Sequence, residues 1–319
     1  MKKINKFNVL QYMLSFGLFM GAGLSNILNL AKEEVWICGI VGTVIGYIIL
    51  LIFSKLNESS FKITSLIANI TLLFFGLYST TKLISSIYLS NTPIYFIMIP
   101  NILLVLYTVK KGLNSFLRAS FVLFIFFMIL MIFSAGMLAP SVDLDFFKPV
   151  LINGAGKIIL GSISFAVTSV FPILLMPDFK MQFSSKCYLL SSVNLLIVIV
   201  CTFGNLGSEM SELYRYPEYI VLKRISALNF IDNVENILFM IWIIVGFESS
   251  VTSSLNIAKM YGKKFFYIVI LILYFLISFY LIDSYKVIDF LIKNYLVILS
   301  SIMGIYFLGK IKGTSRKWF

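Results

Sequence analysis

Long apolar runs alternate with short polar gaps along the whole chain, and lysine and arginine concentrate in every second gap. A run of about 20 apolar residues forms one helix across roughly 30 Å of hydrocarbon. Only helices and closed barrels satisfy their backbone groups in that medium. The pattern therefore predicts an all-α integral membrane protein. With 60% hydrophobic and 13% charged residues among 319, a soluble domain would lack the interior to hide so much apolar side chain.

Ten spans are read, at Asn8–Leu30, Val35–Ser54, Ile63–Leu89, Pro93–Val109, Asn114–Leu138, Ala155–Met176, Cys187–Asn205, Val234–Met260, Phe265–Ile282 and Val287–Leu308. The third and fourth are separated only by Ser90, Asn91 and Thr92, with Pro93 suited to a first helical position. They make one transmembrane domain over residues 1–319. With the N-terminus inside, the cytoplasmic gaps collect Lys2, Lys3 and Lys6, Lys55 and Lys62, and Lys110, Lys111 and Arg118. Further along come Lys180 and Lys186, Lys259, Lys263 and Lys264, then Lys310, Lys312, Arg316 and Lys317. The outer gaps hold most of the acids, among them Glu33, Glu34, Asp143, Asp145, Glu209, Glu212 and Glu218. Both termini are thus expected in the cytoplasm. The net charge of +12 is a signal of topology and gives no support to a nucleic-acid partner. Met1-Lys2-Lys3 before an apolar run also suits a signal peptide. Removing residues 1–23 would leave nine spans and break the charge alternation, so the segment is read as the first span.

Absences narrow the chemistry. The chain has no histidine, which removes Ser–His catalysis and imidazole metal sites. It has no Walker glycine loop and no paired cysteines at metal or redox spacing, and Cys38, Cys187 and Cys201 all fall inside apolar runs. No cofactor or metal is expected. A permease, a channel or a ligand sensor remains, and an enzyme does not.

Helix breakers speak to the fold. The first span carries Phe16-Gly17-Leu18-Phe19-Met20-Gly21-Ala22-Gly23-Leu24-Ser25 near its middle. The sixth carries Gly161 and then Thr168-Ser169-Val170-Phe171-Pro172. Interrupted helices at matching positions of two inverted halves point to a transporter-type site at the midplane. Free amides at a half-helix N-terminus meet an anionic group there, and unwound carbonyls accept from an ammonium. A zwitterionic amino acid fits both. Glycine is also frequent at close-packed helix seams, and Gly17 and Gly21 have that spacing, so the pattern alone serves packing equally well.

Four stretches carry a family resemblance. They are Met20–Leu24 with Trp36; Thr92-Pro93 through Tyr107 to Gly112, Leu113 and Arg118; Asp143–Pro149 with Val150-Leu151, Ser162–Phe165 and Met176-Pro177; and Tyr216-Pro217 with Phe230-Ile231, Glu235 and Trp242–Ile244. In this set and order the chain resembles the permease-like B subunit of spore germinant receptors, a branch of the amino-acid/polyamine/organocation transporter superfamily. The resemblance implies two inverted five-helix repeats, here about 8–138 and 155–308, with helices 1 and 6 unwound at a ligand site. It also implies the inner membrane of a bacterial endospore, and partners of two kinds, an A-type subunit and a lipoprotein C-type subunit. The small-molecule germinant would usually be an amino acid. Departures are visible too. The Lys55–Lys62 connection is short, the family's acidic residue in the sixth span is absent, and Asp232-Asn233-Val234-Glu235 lacks the family's arginine.

The ligand-binding candidates are Gly21, Ala22 and Gly23 with Ser25, whose backbone amides would meet a carboxylate, and Phe165, Thr168 and Ser169 on the opposite wall. The bland alternatives are packing glycines and ordinary hydroxyl contacts between helices. Glu248 lies near the middle of the eighth span, where an acid is costly unless paired, protonated or facing water. It is the leading coupling residue, a candidate proton carrier, with Ser249 and Thr252 offering hydroxyls beside it. A protonated acid bonded to a neighbouring helix is the alternative. Glu235, near the outer end of that span, is a gating candidate. Lys82 reads as a side chain reaching for the outer interface. Three functions stay open: a receptor subunit, a proton- or sodium-coupled amino acid transporter, and a degenerate paralogue that binds nothing.

Overall fold

The computed structural model describes residues 5–19, 23–56, 62–148, 154–177, 183–225, 234–281 and 294–315. Apolar runs with strong helix formers and no strand-like alternation give helices throughout the described residues. The first span is split into α1 (Lys6–Leu14) and α2 (Leu24–Ala31). There follow α3 (Val35–Lys55), α4 (Lys62–Ile87), α5 (Ile94–Lys111), α6 (Leu113–Leu138), α7 (Ala155–Leu174) and α8 (Ser185–Leu213). A short α9 (Pro217–Leu222) and α10 (Val234–Leu238) lead into α11 (Met240–Tyr261), α12 (Lys263–Leu276) and α13 (Tyr295–Ser315). Among the described residues, seven helical segments are long and apolar enough to cross a membrane.

Burial is inverted relative to a soluble protein. Val44 and Ile48 on α3, Phe126, Ile129 and Ile132 on α6 and Ile268 and Ile272 on α12 are exposed. Ser162, Ser164, Thr168, Ser169, Ser250 and Ser253 are buried. In lipid this is the favourable arrangement, since tails are as apolar as leucine and small hydroxylated residues let helices approach closely. Most of these hydroxyls bond back to the carbonyl four residues earlier, as Ser250 does to Gly246 O at 2.9 Å. The protein is an integral membrane protein.

The most extensive helix pair is α3 with α7, followed by α4 with α11. Gly39, Gly42 and Gly46 form the seam of α3 that faces α7 and α8. An added Cβ at Gly42 would stand 2.7 Å from Ser162 O and 2.8 Å from Phe165 Cβ. Two apolar clusters fill the interior. One runs through Leu50, Phe53, Val109, Phe116 and Ile257, the other through Ala31, Val35, Leu83, Leu138 and Trp242. They meet around the gap between α1 and α2.

Several expectations change. Pro93 is the residue just before α5, with extended backbone, not its first helical residue. The stretch Glu209–Leu222 forms two helical pieces. Gly207, at φ 73°, bends α8 so that its last turn runs on to Leu213, and α9 follows separately. The largest change concerns the sixth span. Helix 6 was expected to be broken, yet α7 is one continuous helix from Ala155 to Leu174. Pro172 falls in its last turn, so the ring removes a single N–H donor, the one that would reach the Thr168 carbonyl, and leaves the earlier turns intact. The 57–61 part of the short connection and residues 287–293 of the expected tenth span lie outside the described residues.

Candidate functional site

The interruption between α1 and α2 is the centre of the arrangement. After Leu14 the bonding tightens from four-residue to three-residue spacing. Phe16 N–H donates to Met13 O at 3.1 Å, Gly17 N–H to Leu14 O at 3.0 Å and Phe19 N–H to Phe16 O at 3.0 Å. Two features drive this. Glycine weakens a helix interior by about 1 kcal/mol, and Ser15 turns its hydroxyl back to Tyr12 O at 2.7 Å. Helix 1 is therefore broken as the glycines predict. Gly21 and Ala22 lie outside the described residues. Gly23 caps the start of α2 with ordinary helical angles, and Ser25 is buried in its first turn.

Two helices close on this gap. From α7, Thr168 stands against Gly23, where an added Cβ would lie 2.8 Å from Thr168 Cγ2 and 2.4 Å from Leu18 O. From α11, Ser249 stands against Gly17, where an added Cβ would lie 1.9 Å from Ser249 Oγ. Phe165 is fully buried and meets Phe19 edge-on with centroids 5.5 Å apart, so it forms an aromatic wall beside the gap. Residues chosen from three separate stretches of sequence thus converge on one place.

Others are brought elsewhere. Ser169 donates to Phe165 O at 2.9 Å and meets the Tyr188 hydroxyl at 3.2 Å, which turns it toward α8. Glu248 is fully buried but faces α6, where Ser120 donates to its Oε1 at 2.7 Å. Its Oε2 has no hydrogen-bond partner among the described residues, and neither has the buried Thr252 hydroxyl one turn further on. Glu235 belongs to the far end of the bundle, about 20 Å along the same span. It lies beside Tyr88 and Tyr219. Asn236 ties these rings together, accepting from Tyr88 at 3.3 Å through its carbonyl and from Tyr219 at 3.2 Å through its side chain. Lys82 is half-buried on α4.

Sequence reasoning missed three members. Tyr295, at the start of α13, donates from its fully buried hydroxyl to Leu18 O at 2.9 Å. Ser120 holds the Glu248 carboxyl, and Ser164 places a buried hydroxyl one turn from Thr168. Nothing in their local sequence distinguishes them from ordinary residues of a span. Chemically the junction offers buried hydroxyls and the Leu18 carbonyl to which Tyr295 donates, beside an aromatic wall and the N-terminal end of α2. That set can accept from an ammonium and, at α2, donate to a carboxylate.

The family model of spore germination proteins matches residues 59–287, more than half of the chain. The protein belongs to that family. No curated protein matches it. In this germination protein the matched part runs from the connection before α4 to beyond α12, so it includes Thr168, Ser249 and Glu248 and stops short of Tyr295. The interrupted first span lies ahead of it.

Glu248 in this spore germination protein admits a direct test. Glu248→Gln keeps the size of the side chain and an acceptor for Ser120 while removing the titratable proton. The pH dependence of ligand response or uptake should flatten between pH 5 and 9, measured on one preparation of each protein. A variant profile superimposable on wild type would leave Glu248 a structural partner of Ser120 only.

Proposed function

We propose that the protein is the permease-like B subunit of a spore nutrient-germinant receptor. It binds a small germinant, an amino acid by its chemistry, where the α1–α2 gap meets α7 and α11. The observation that carries the reading is the convergence of Gly23, Thr168, Gly17 and Ser249 at an interrupted helix, in a member of the spore germination family. The ammonium would be taken by Leu18 O and the hydroxyls of Thr168 and Ser164. The carboxylate would meet the amides at the start of α2, where the helix dipole favours an anion. Phe165 and Phe19 would bound the side-chain pocket. In this reading the chain crosses the membrane ten times as two inverted repeats, with both termini in the cytoplasm of the spore inner membrane. It catalyses no reaction, and it signals occupancy to an A-type and a lipoprotein C-type subunit.

A proton- or sodium-coupled amino acid transporter is the second reading. It is favoured by one observation, the fully buried Glu248 carboxyl with Oε2 open among the described residues. Deleting the gene separates the two. Dipicolinic acid release from spores is recorded across the twenty L-amino acids, with uptake of the same labelled amino acids by growing cells. Loss of release to one amino acid with uptake intact is the expected result. Normal germination with impaired uptake would make the protein a working transporter.

A further inference from the structure

A cavity of about 280 Å³ lies where the end of α4 meets the chain around α9, and Ser86, Arg215, Tyr216, Tyr219 and Lys223 help to line it. Pockets for small molecules begin near this size. It is separate from the α1–α2 gap. Ser86 is ten residues, about 15 Å, along α4 from Gly76, which packs on Ser250, the residue after the Ser249 of the gap. Two of the lining residues are cations. The Arg215 guanidinium stands 5.6 Å from the centroid of the Tyr216 ring, and the Lys223 ammonium 5.0 Å from that of Tyr219. A ring face attracts a cation but does not neutralise it. Among the described residues neither cation has a carboxylate within ion-pair distance; the ion pairs there are Lys32–Glu212 and Lys148–Asp145. Arg215 Nε is also buried with no hydrogen-bond partner among the described residues, although charge withdrawn from water is stable only when paired. Glu218 lies beside Tyr216 and Glu235 beside Tyr219, yet neither lines the cavity. The described lining thus carries two positive charges and no negative one.

We propose that this cavity is a second ligand site, which holds a small molecule by its carboxylate at the outer mouth of the protein. Arg215 and Lys223 take the oxygens, the guanidinium with paired N–H groups that match a planar carboxylate. The rings of Tyr216 and Tyr219 meet the apolar remainder. The inference rests on the amino-acid reading above, which supplies the carboxylate and puts this end of the bundle outside. It deepens that reading by adding a first contact that recognises the carboxylate alone, apart from the gap where the ammonium is also held. A lipid headgroup phosphate is an oxyanion of similar chemistry, and the test separates the two sources.

The full chain in phosphatidylcholine nanodiscs is given 3-fluorotyrosine at position 219, in the cavity, or at position 295, beside the gap, and read by fluorine NMR. Sodium acetate is titrated against sodium chloride of the same ionic strength. Acetate should move the signal at 219 saturably and leave that at 295 in place, while chloride moves neither. The half-saturating acetate concentration should rise about tenfold in Arg215→Gln, the factor for one charge-assisted hydrogen bond. It should rise also in Lys223→Gln, where the residue is exposed and its replacement leaves the fold intact. A signal at 219 that acetate does not move, or that chloride moves equally, overturns the site. So does an unchanged half-saturating concentration in both variants. Half the phosphatidylcholine is then replaced by phosphatidylglycerol. A shift at 219 caused by that lipid, which acetate no longer alters, would make the headgroup the occupant and overturn the carboxylate site. The twenty L-amino acids are titrated last, at both positions. If none moves the signal at 295, the amino-acid reading of the gap fails while acetate at 219 still decides the cavity.

Discussion

A protein carrying Gly23→Val is expected to lose its ligand response while keeping its fold. The first added carbon would lie 2.4 Å from Leu18 O and 2.8 Å from Thr168 Cγ2. A backbone oxygen cannot rotate out of the way, so the gap between α1 and α2 must change shape. Overpacking of this kind costs about 1–3 kcal/mol, which is about ten- to hundredfold in a binding constant. The extensive α3–α7 and α4–α11 contacts do not involve residue 23, so the fold should persist in nanodiscs, with a melting temperature lowered by roughly 2–5 °C. Ligand binding and germination dose–response curves measure the effect. A normal dose–response in Gly23→Val would remove the site from the first helix.

Gly42→Leu should have the largest effect on stability. Residue 42 faces the Ser162 carbonyl and the Phe165 Cβ at distances no real side chain tolerates, and both belong to the α7 backbone or its first carbon. Leucine there would force apart the most extensive helix pair of the protein. We expect a loss of about 3 kcal/mol or more, seen as a fall in melting temperature of roughly 5–10 °C. Ile40→Leu is the control, because Ile40 faces outward from the same helix at 49% exposure. Equal melting curves for Gly42→Leu and wild type would show that the α3–α7 seam is not tightly packed.

Reading the site from sequence succeeded where the signal was local. Glycines within an apolar run interrupt a helix because their backbone is free to leave it, and the break after Leu14 follows. The same reasoning failed at the sixth span, because a proline breaks a helix only if turns continue beyond it. Pro172 stands two residues before the end of α7, a boundary that depends on how far the helix stays packed. Glu248 was legible as an unusual acid in a span, but its partner was not. Ser120 is separated from it by 128 positions, and one serine among many carries no label.

What the sequence determined by itself was the medium and the character of the chain: a membrane, helices where the apolar runs lie among the described residues, and an interruption in the first of them. These follow from transfer of apolar side chains into hydrocarbon and from backbone preferences, both of which act residue by residue. The tertiary structure alone decided which faces meet. In water a helix shows its buried face by its apolar stripe, but in lipid the outside is as apolar as the core. The rotation of each helix about its axis is then set by small residues and single hydroxyls meeting partners far away in the chain. So it is packing that puts Ser249 on Gly17, Thr168 on Gly23, and the hydroxyl of Tyr295 on a carbonyl 277 residues before it.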